Sequence, residues 1–166
     1  MEMLVLDPHV SEQLIAERQR LGLDRYDEVH AGRYVVSPSP NVRHSRLVVK
    51  TIVLFETMFS LDLFAADTVN VGTPDDFRVT DAALVTIEDG LWLSGGDCAI
   101  AVEVLSPREQ PGAKVDHYGR HGCSLYVEID PVASTVRGVP LDGPHEIDGE
   151  QLLDRLAAEL DLRRVD

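Results

Sequence analysis

The run Cys98–Leu105, CAIAVEVL, constrains the fold more than any other stretch of this chain. All but one of its residues are apolar, which suits a short strand covered on both faces at the centre of a sheet. The exception is Glu103. In an extended run alternate side chains share a face, so Glu103 is expected beside Ala99, Ala101 and Leu105, opposite Ile100, Val102 and Val104. An ionised carboxylate there is costly unless it is paired or holds a cation. A partner should therefore exist.

Two partners are within reach of the pattern. Phe77–Ile87, FRVTDAALVTI, reads as one strand interrupted by Asp81, and Pro111-Gly112 opens a helix of about ten residues, ending near Gly122, with Lys114 at or near its start. Asp81 and Glu103 on adjacent strands could supply oxygen ligands to Mg²⁺, which takes one or two carboxylates together with waters and phosphate oxygens. Lys114 could then orient or activate a water and stabilise charge developing on phosphorus. The plainer reading has Asp81 at a strand end and Glu103 ion-paired to Lys114 with no metal. Both stay open on spacing alone.

Around this pair the pattern predicts helices and strands in mixture. Pro8–Leu21 carries helical periodicity with Gly22 as a stop, and YDEVHAGRYVV reads as a hairpin about Ala31-Gly32. Asn41 can cap a long amphipathic helix running from Val42 to about Leu63. Asp67–Val71 is a strand candidate, SLYVEID and STVRGVP form a hairpin pair, and IDGEQLLDRLAAELDL is a terminal amphipathic helix. The order suggests an α/β (α+β) protein with helices packed on a sheet. At 166 residues one domain is expected, with an N-terminal helix over 1–23, a core over 24–139 and a C-terminal extension over 140–166 that includes the terminal helix.

Composition narrows the function classes. No apolar run approaches the length needed to span a bilayer, and the first residues lack a basic and then apolar leader, so a cytoplasmic protein away from membranes is expected. Two cysteines, Cys98 and Cys123, make no disulfide framework and read as buried thiols. The formal charge of −14 opposes nucleic-acid binding, except through the locally basic Arg33, Arg43, His44, Arg46 and Lys50. His117 and His121 have a zinc-like spacing near Cys123, but no fourth ligand or HExxH accompanies them, so they read as surface histidines flanking the helix. His44 could reach a substrate or simply belong to the helix start, Tyr118 could hydrogen-bond near Lys114 or pack in the core, and Trp92 reads as packing.

The segments AVEVLSP, the helix carrying Lys114 and Tyr118 four residues apart, Gly122, and YVEIDP over Tyr126–Pro131 resemble the Uma-two family of restriction endonucleases in the PD-(D/E)XK nuclease superfamily. Glu28 four residues before Gly32, the VVSPSP segment and His44 opening the long helix are similar as well, so the resemblance spans roughly Asp24 to Val139. It implies a restriction-endonuclease-like mixed β-sheet core flanked by helices. It further implies that Asp81 and Glu103, with the backbone carbonyl of Val104, hold Mg²⁺ or Mn²⁺. Leu105 occupies the usual lysine position, so Lys114, displaced onto the helix, would be the catalytic lysine, with Glu28 as a supporting acid. The activity implied is metal-dependent hydrolysis of DNA phosphodiesters; a homodimer is expected only because two-fold partners are common among soluble proteins and suit two-strand cleavage. The alternative is a catalytically weakened or inactive protein of the same fold acting as an interaction module.

Overall fold

The computed structural model describes residues 8–59, 62–107 and 109–165. The first helix is α1 (Pro8–Arg20), and β1 (Glu28–His30) and β2 (Arg33–Val35) form the expected antiparallel hairpin. Ala31 and Gly32 both take positive φ, 49° and 79°, the two-residue turn whose twist matches that of paired strands. Asp76 accepts from the Ala31 N–H at 3.0 Å, which helps a non-glycine residue hold that conformation.

Helix α2 (Val42–Met58) begins where expected, because the Asn41 side chain accepts from the His44 N–H at 3.0 Å. It ends earlier than periodicity predicts. Phe59 is extended, and β3 (Phe64–Asp67) is already paired with β6 (Ala82–Val85), so the chain has to turn before Leu63.

Two expected strands divide. Asp67–Val71 straddles β3 and β4 (Asn70–Thr73), separated by Thr68 at φ 49°. Phe77–Ile87 likewise breaks into β5 (Asp76–Val79) and β6 at Thr80-Asp81. There the Thr80 N–H reaches Val69 O at 3.0 Å, while the next amide, Asp81, reaches Val102 O at 3.0 Å. Neighbouring amides thus serve different partners, and the chain passes from one sheet to another at Asp81.

The smaller sheet has the order β2-β1-β5-β4 and is antiparallel. The larger has the order β10-β9-β8-β7-β6-β3, with β7 (Cys98–Val104), β8 (Leu125–Asp130), β9 (Thr135–Pro140) and β10 (Arg163–Arg164). It is mixed, with β7 parallel to β8 and β10 parallel to β9. Strand β10 has no hydrophobic period to announce it; two arginines are placed by main-chain bonding to β9.

Every residue of β7 is buried, as a strand with layers on both faces requires. On one face α2 and α4 (Gly149–Leu160) cover Ile100, Val102 and Val104, with α4 contributing Leu152, Leu153, Leu156 and Leu160. Lys50 donates to Glu159 O at 2.8 Å, tying the two helices together and withdrawing one of the expected basic residues from ligand contact. On the other face Val71, Ala101, Tyr118, Cys123 and Tyr126 form a second cluster. Ala99 departs from simple alternation. Leu84 faces Ile100 while Val85 faces Cys98, so Ala99 is a bulge and packs with the first cluster instead of beside Glu103.

Helix α3 (Val115–Arg120) is shorter than the ten residues expected. Gly112 takes φ 75°, and its N–H points to Glu128 Oε2 at 2.6 Å instead of starting a helical turn. This tight turn delivers Lys114 to the N-cap of α3, facing the larger sheet. Among the described residues, no helix is long and apolar enough to cross a membrane.

Candidate active site

The site forms where the two sheets meet, and the break at Asp81 creates it. With its own N–H bonded to Val102 O, Asp81 turns its carboxylate along the edge of β7 and accepts from the Val104 N–H at 2.7 Å through Oδ2. The side chain occupies a ladder position that a strand carbonyl would otherwise fill. His44, on the first turn of α2, donates from Nε2 to Asp81 Oδ1 at 2.8 Å. One helix start and one strand break therefore fix a single carboxylate from both sides.

Glu103 is 3% exposed, and both of its oxygens are engaged. The Tyr118 hydroxyl donates to Oε1, and Lys114 Nζ donates to Oε2 at 2.8 Å. Lys114 also reaches Glu28 Oε1 at 2.8 Å and lies 3.8 Å from Glu109 Oε1. Glu28 is fixed in turn by the Val79 N–H at 3.0 Å and by His30 Nε2 at 2.6 Å. The short link from Ser106 to Lys114 thus suffices to bring the lysine onto the glutamate. It folds back on itself, with Glu109 N–H donating to Ser106 O at 2.9 Å.

The electrostatics follow from one ammonium among several carboxylates. Burial pushes the Glu103 carboxyl well above the usual carboxylate range; Lys114 opposes this, while the charges of Asp81 and Glu28 add to it. Burial acts in the same direction on Glu28, but there Lys114, His30 and the Val79 N–H prevail and bring it down to about 2. Burial alone would discharge Lys114; Glu103, Glu28 and Glu109 outweigh it and hold the ammonium above the ordinary lysine range. Lys114 is consequently a cation and a hydrogen-bond donor at neutral pH. Desolvation, followed by the charges of Glu103 and Glu28, raises the Tyr118 hydroxyl, so it stays protonated and donates.

The structure therefore brings these residues into two hydrogen-bonded sets that meet at β7: Glu28, Lys114, Glu103 and Tyr118 form one, and His44 and Asp81, anchored on the Val104 N–H, form the other. Of the alternatives open for His44 and Tyr118, each makes a specific polar contact with one of the two acids, and Tyr118 also packs, stacked on Tyr126 at a centroid separation of 5.7 Å. Among the described residues, no three His, Cys, Asp or Glu side chains converge as a ready metal cage.

Several participants escape a reading of the sequence. His30 and Glu109 sit in a hairpin and a loop, where nothing in their spacing marks them. Glu128 had a signal: it is a second acid in an apolar strand, and the parallel register places it beside Glu103. It is buried and accepts from Gly112 N–H at 2.6 Å, Tyr126 OH at 3.0 Å and Arg137 Nε at 2.8 Å. Its role is to hold the Gly112 turn and, through it, the approach of Lys114.

His117 differs from expectation, whereas His121, the C-cap of α3, is half-buried beside it. His117 is buried, 3% exposed, and its Nε2 donates to Val71 O at 2.8 Å, while its buried Nδ1 has no hydrogen-bond partner among the described residues. Cys123 is instead buried in the second cluster with Cys98. His117 is used to pin α3 to β4, which the periodicity of so short a helix does not reveal.

Burial lowers His117 to about 4, with Arg78 and His121 acting in the same direction and the Val71 carbonyl and Asp76 against it. Because this folded-state value lies below that of an unfolded histidine, the associated stability is complete above about pH 6.5 and is lost as pH falls toward 4. Urea denaturation at pH 7 and pH 5 should show a loss of about 2 kcal/mol from this group, and His117→Gln should flatten that difference.

Tryptophan behaves as expected: Trp92 packs edge-on against Phe77, with ring centroids 4.7 Å apart.

Residues 16–164 match the family Uma2, described as "Putative restriction endonuclease". Among solved structures, the chain is similar to one described as a putative nuclease belonging to DUF820 from Anabaena variabilis ATCC 29413. The TM-score is 0.61 with 18% sequence identity, and the match covers 81% of this chain and 90% of that one. At that identity the likeness establishes a common fold. No curated protein matches the chain.

Proposed function

From the premise that this chain belongs to the Uma2 family of restriction-endonuclease type, we propose that it hydrolyses DNA phosphodiester bonds with Mg²⁺ or Mn²⁺ at the Asp81–Glu103–Lys114 site. The observation that carries the reading is the placing of two acids by neighbouring residues of β7: Asp81 anchored on the Val104 N–H, and Glu103 buried beside it in the chain with Lys114 on its Oε2.

The donor set suits a hard divalent cation. Carboxylate oxygens are the preferred ligands of Mg²⁺, which completes its shell with waters and phosphate oxygens, so two acids suffice without a third. A cation would also relieve the unfavourable charge that Asp81 and Glu28 impose on buried Glu103. Asp81, Glu103 and the Val104 carbonyl would hold it. Once bound, it supplies Lewis acidity toward the phosphoryl oxygens.

The protein groups have separate tasks. Lys114, kept protonated by its three acids, has one N–H left beyond those given to Glu28 and Glu103, and donates it to the phosphoryl oxygen that gains charge; it stabilises and does not act as a base. Glu28 and Tyr118 hold Lys114 and Glu103 in register, and His44 fixes the direction of Asp81. In the reaction the water oxygen bonds to phosphorus as the bond from phosphorus to the leaving sugar oxygen breaks; the attacking water gives up a proton to solvent water, and the departing sugar oxygen takes one from solvent water. Arg33 and Arg43, both exposed, offer basic groups to the DNA backbone.

A second reading, a nuclease-fold interaction module without catalysis, is favoured by the formal charge of −14. Incubation with supercoiled and linear DNA in Mg²⁺ or Mn²⁺, beside Glu103→Gln, separates the two. Cleavage that disappears in the variant supports the nuclease; no cleavage on either substrate with either metal supports the module.

A further inference from the structure

Helix α2 buries one face against the sheet through Leu47, Thr51, Leu54 and Phe55. Its opposite face carries an apolar stripe that nothing in the chain covers among the described residues. Val42, Val49 and Val53 are 86%, 59% and 57% exposed, and Arg46 and Glu56, also exposed, complete the row. The steps from Val42 through Arg46, Val49 and Val53 to Glu56 alternate four and three residues, which is the spacing of a helix–helix seam. A solvated helix face has no reason to carry β-branched apolar residues at this interval, since valine is a weaker helix former than the charged residues usual there.

We infer that this face pairs antiparallel with the same face of a second copy of the chain, about a two-fold axis near Thr51. In that arrangement Val49 of each copy meets Val53 of the other, Arg46 meets Glu56, and Ser45 meets Thr57. The stripe is self-complementary in residue pattern and charge, as a two-fold interface must be. Charge also selects the orientation. A parallel pairing would set Arg46 against Arg46 and Glu56 against Glu56, and like charges in register are repulsive. Glu56 is already steadied for this contact, since its Oε1 accepts from the Ala65 N–H at 3.2 Å.

Valines in the seam favour a protein surface over a polyanion, because phosphate contacts use positive charge and gain nothing from an aliphatic stripe. One helix seam is a small interface, so the dimer should be concentration-dependent.

Sedimentation velocity on the full chain, without DNA, across roughly 1 to 200 μM tests the inference; this range brackets the affinity expected of so small a contact. The expected result is a shift from one-chain to two-chain mass with rising concentration. Arg46→Glu alone and Glu56→Arg alone should each raise the dissociation constant at least about tenfold, and the double exchange should restore it, because the charges again oppose. Val49→Asp should give a monomer throughout. A wild-type chain that stays monomeric at every concentration overturns the inference. A dimer indifferent to all four variants overturns it as well, by placing the interface elsewhere. If Arg46→Glu weakens binding of a DNA duplex while the mass is unchanged, the surface belongs to a polyanion and the inference also fails.

Discussion

Replacing Lys114 with methionine should lower the unfolding free energy by about 3–5 kcal/mol, the usual cost of removing one partner from a buried ion pair. Methionine keeps most of the lysine stem, so the loss reports charge more than packing. Glu28 and Glu103, 5% and 3% exposed, would then share a buried space with no cation between them. Their response is protonation, and its sign is fixed. Glu28, now held down to about 2, would rise in the variant, so the variant binds protons in the folded state that the wild type does not. The penalty should therefore shrink between pH 8 and pH 5. Glu103→Gln placed on the methionine variant should recover part of the loss, since it removes one of the stranded charges. Urea denaturation at the two pH values checks each of these points. A cost below about 1 kcal/mol at pH 8 would show that the carboxylates are neutral without the ammonium.

The same variant offers a test of cation binding that needs no catalysis. If Asp81 and Glu103 hold a divalent ion, millimolar Mg²⁺ should raise the midpoint of the methionine variant more than that of the wild type, because a ligand that binds only the folded state adds stability by mass action. In the doubly substituted protein the increment should fall.

The second large effect concerns Asp81, whose two jobs can be separated. Alanine strands the Val104 N–H and releases His44, and an unsatisfied amide at a buried strand costs about 1–3 kcal/mol. Asparagine retains an acceptor oxygen for Val104 and loses only the charge. Asp81→Ala should thus lose stability while Asp81→Asn remains within about 1 kcal/mol of wild type. Both should lower DNA cleavage at least about 100-fold, because substitutions even one shell beyond a metal already cost 10–100-fold. Thermal melts and cleavage rates on the same preparations give the two readouts. If asparagine leaves cleavage intact, Asp81 is a structural cap on β7 and the metal-binding role fails.

Some parts of this protein were legible in its sequence because the determinant is local. The Ala31-Gly32 hairpin, the Asn41 cap and the continuous burial of Cys98–Val104 each follow from a few adjacent residues. The misfit of Glu103 was legible for the same reason: a carboxylate in an apolar run needs a partner, and Lys114 and Tyr118 supply two. Periodicity failed where a non-local bond outweighed it. It carried one strand through Asp81, yet the Thr80 and Asp81 amides serve Val69 and Val102, far apart in the chain. It also extended α3 through a turn that Glu128 pulls open from another strand.

The sequence alone determined that a buried acid at Glu103 must be answered, and it named Asp81 and Lys114 as the groups with the chemistry to answer it. Only the tertiary structure decided how. A strand that changes sheets at Asp81 presents that carboxylate to Val104, a glycine turn held by Glu128 delivers Lys114, and a hairpin brings Glu28 and His30 from far upstream. The physical reason is that side-chain chemistry is written residue by residue, while the desolvation and charge that set its behaviour depend on which distant elements close around it.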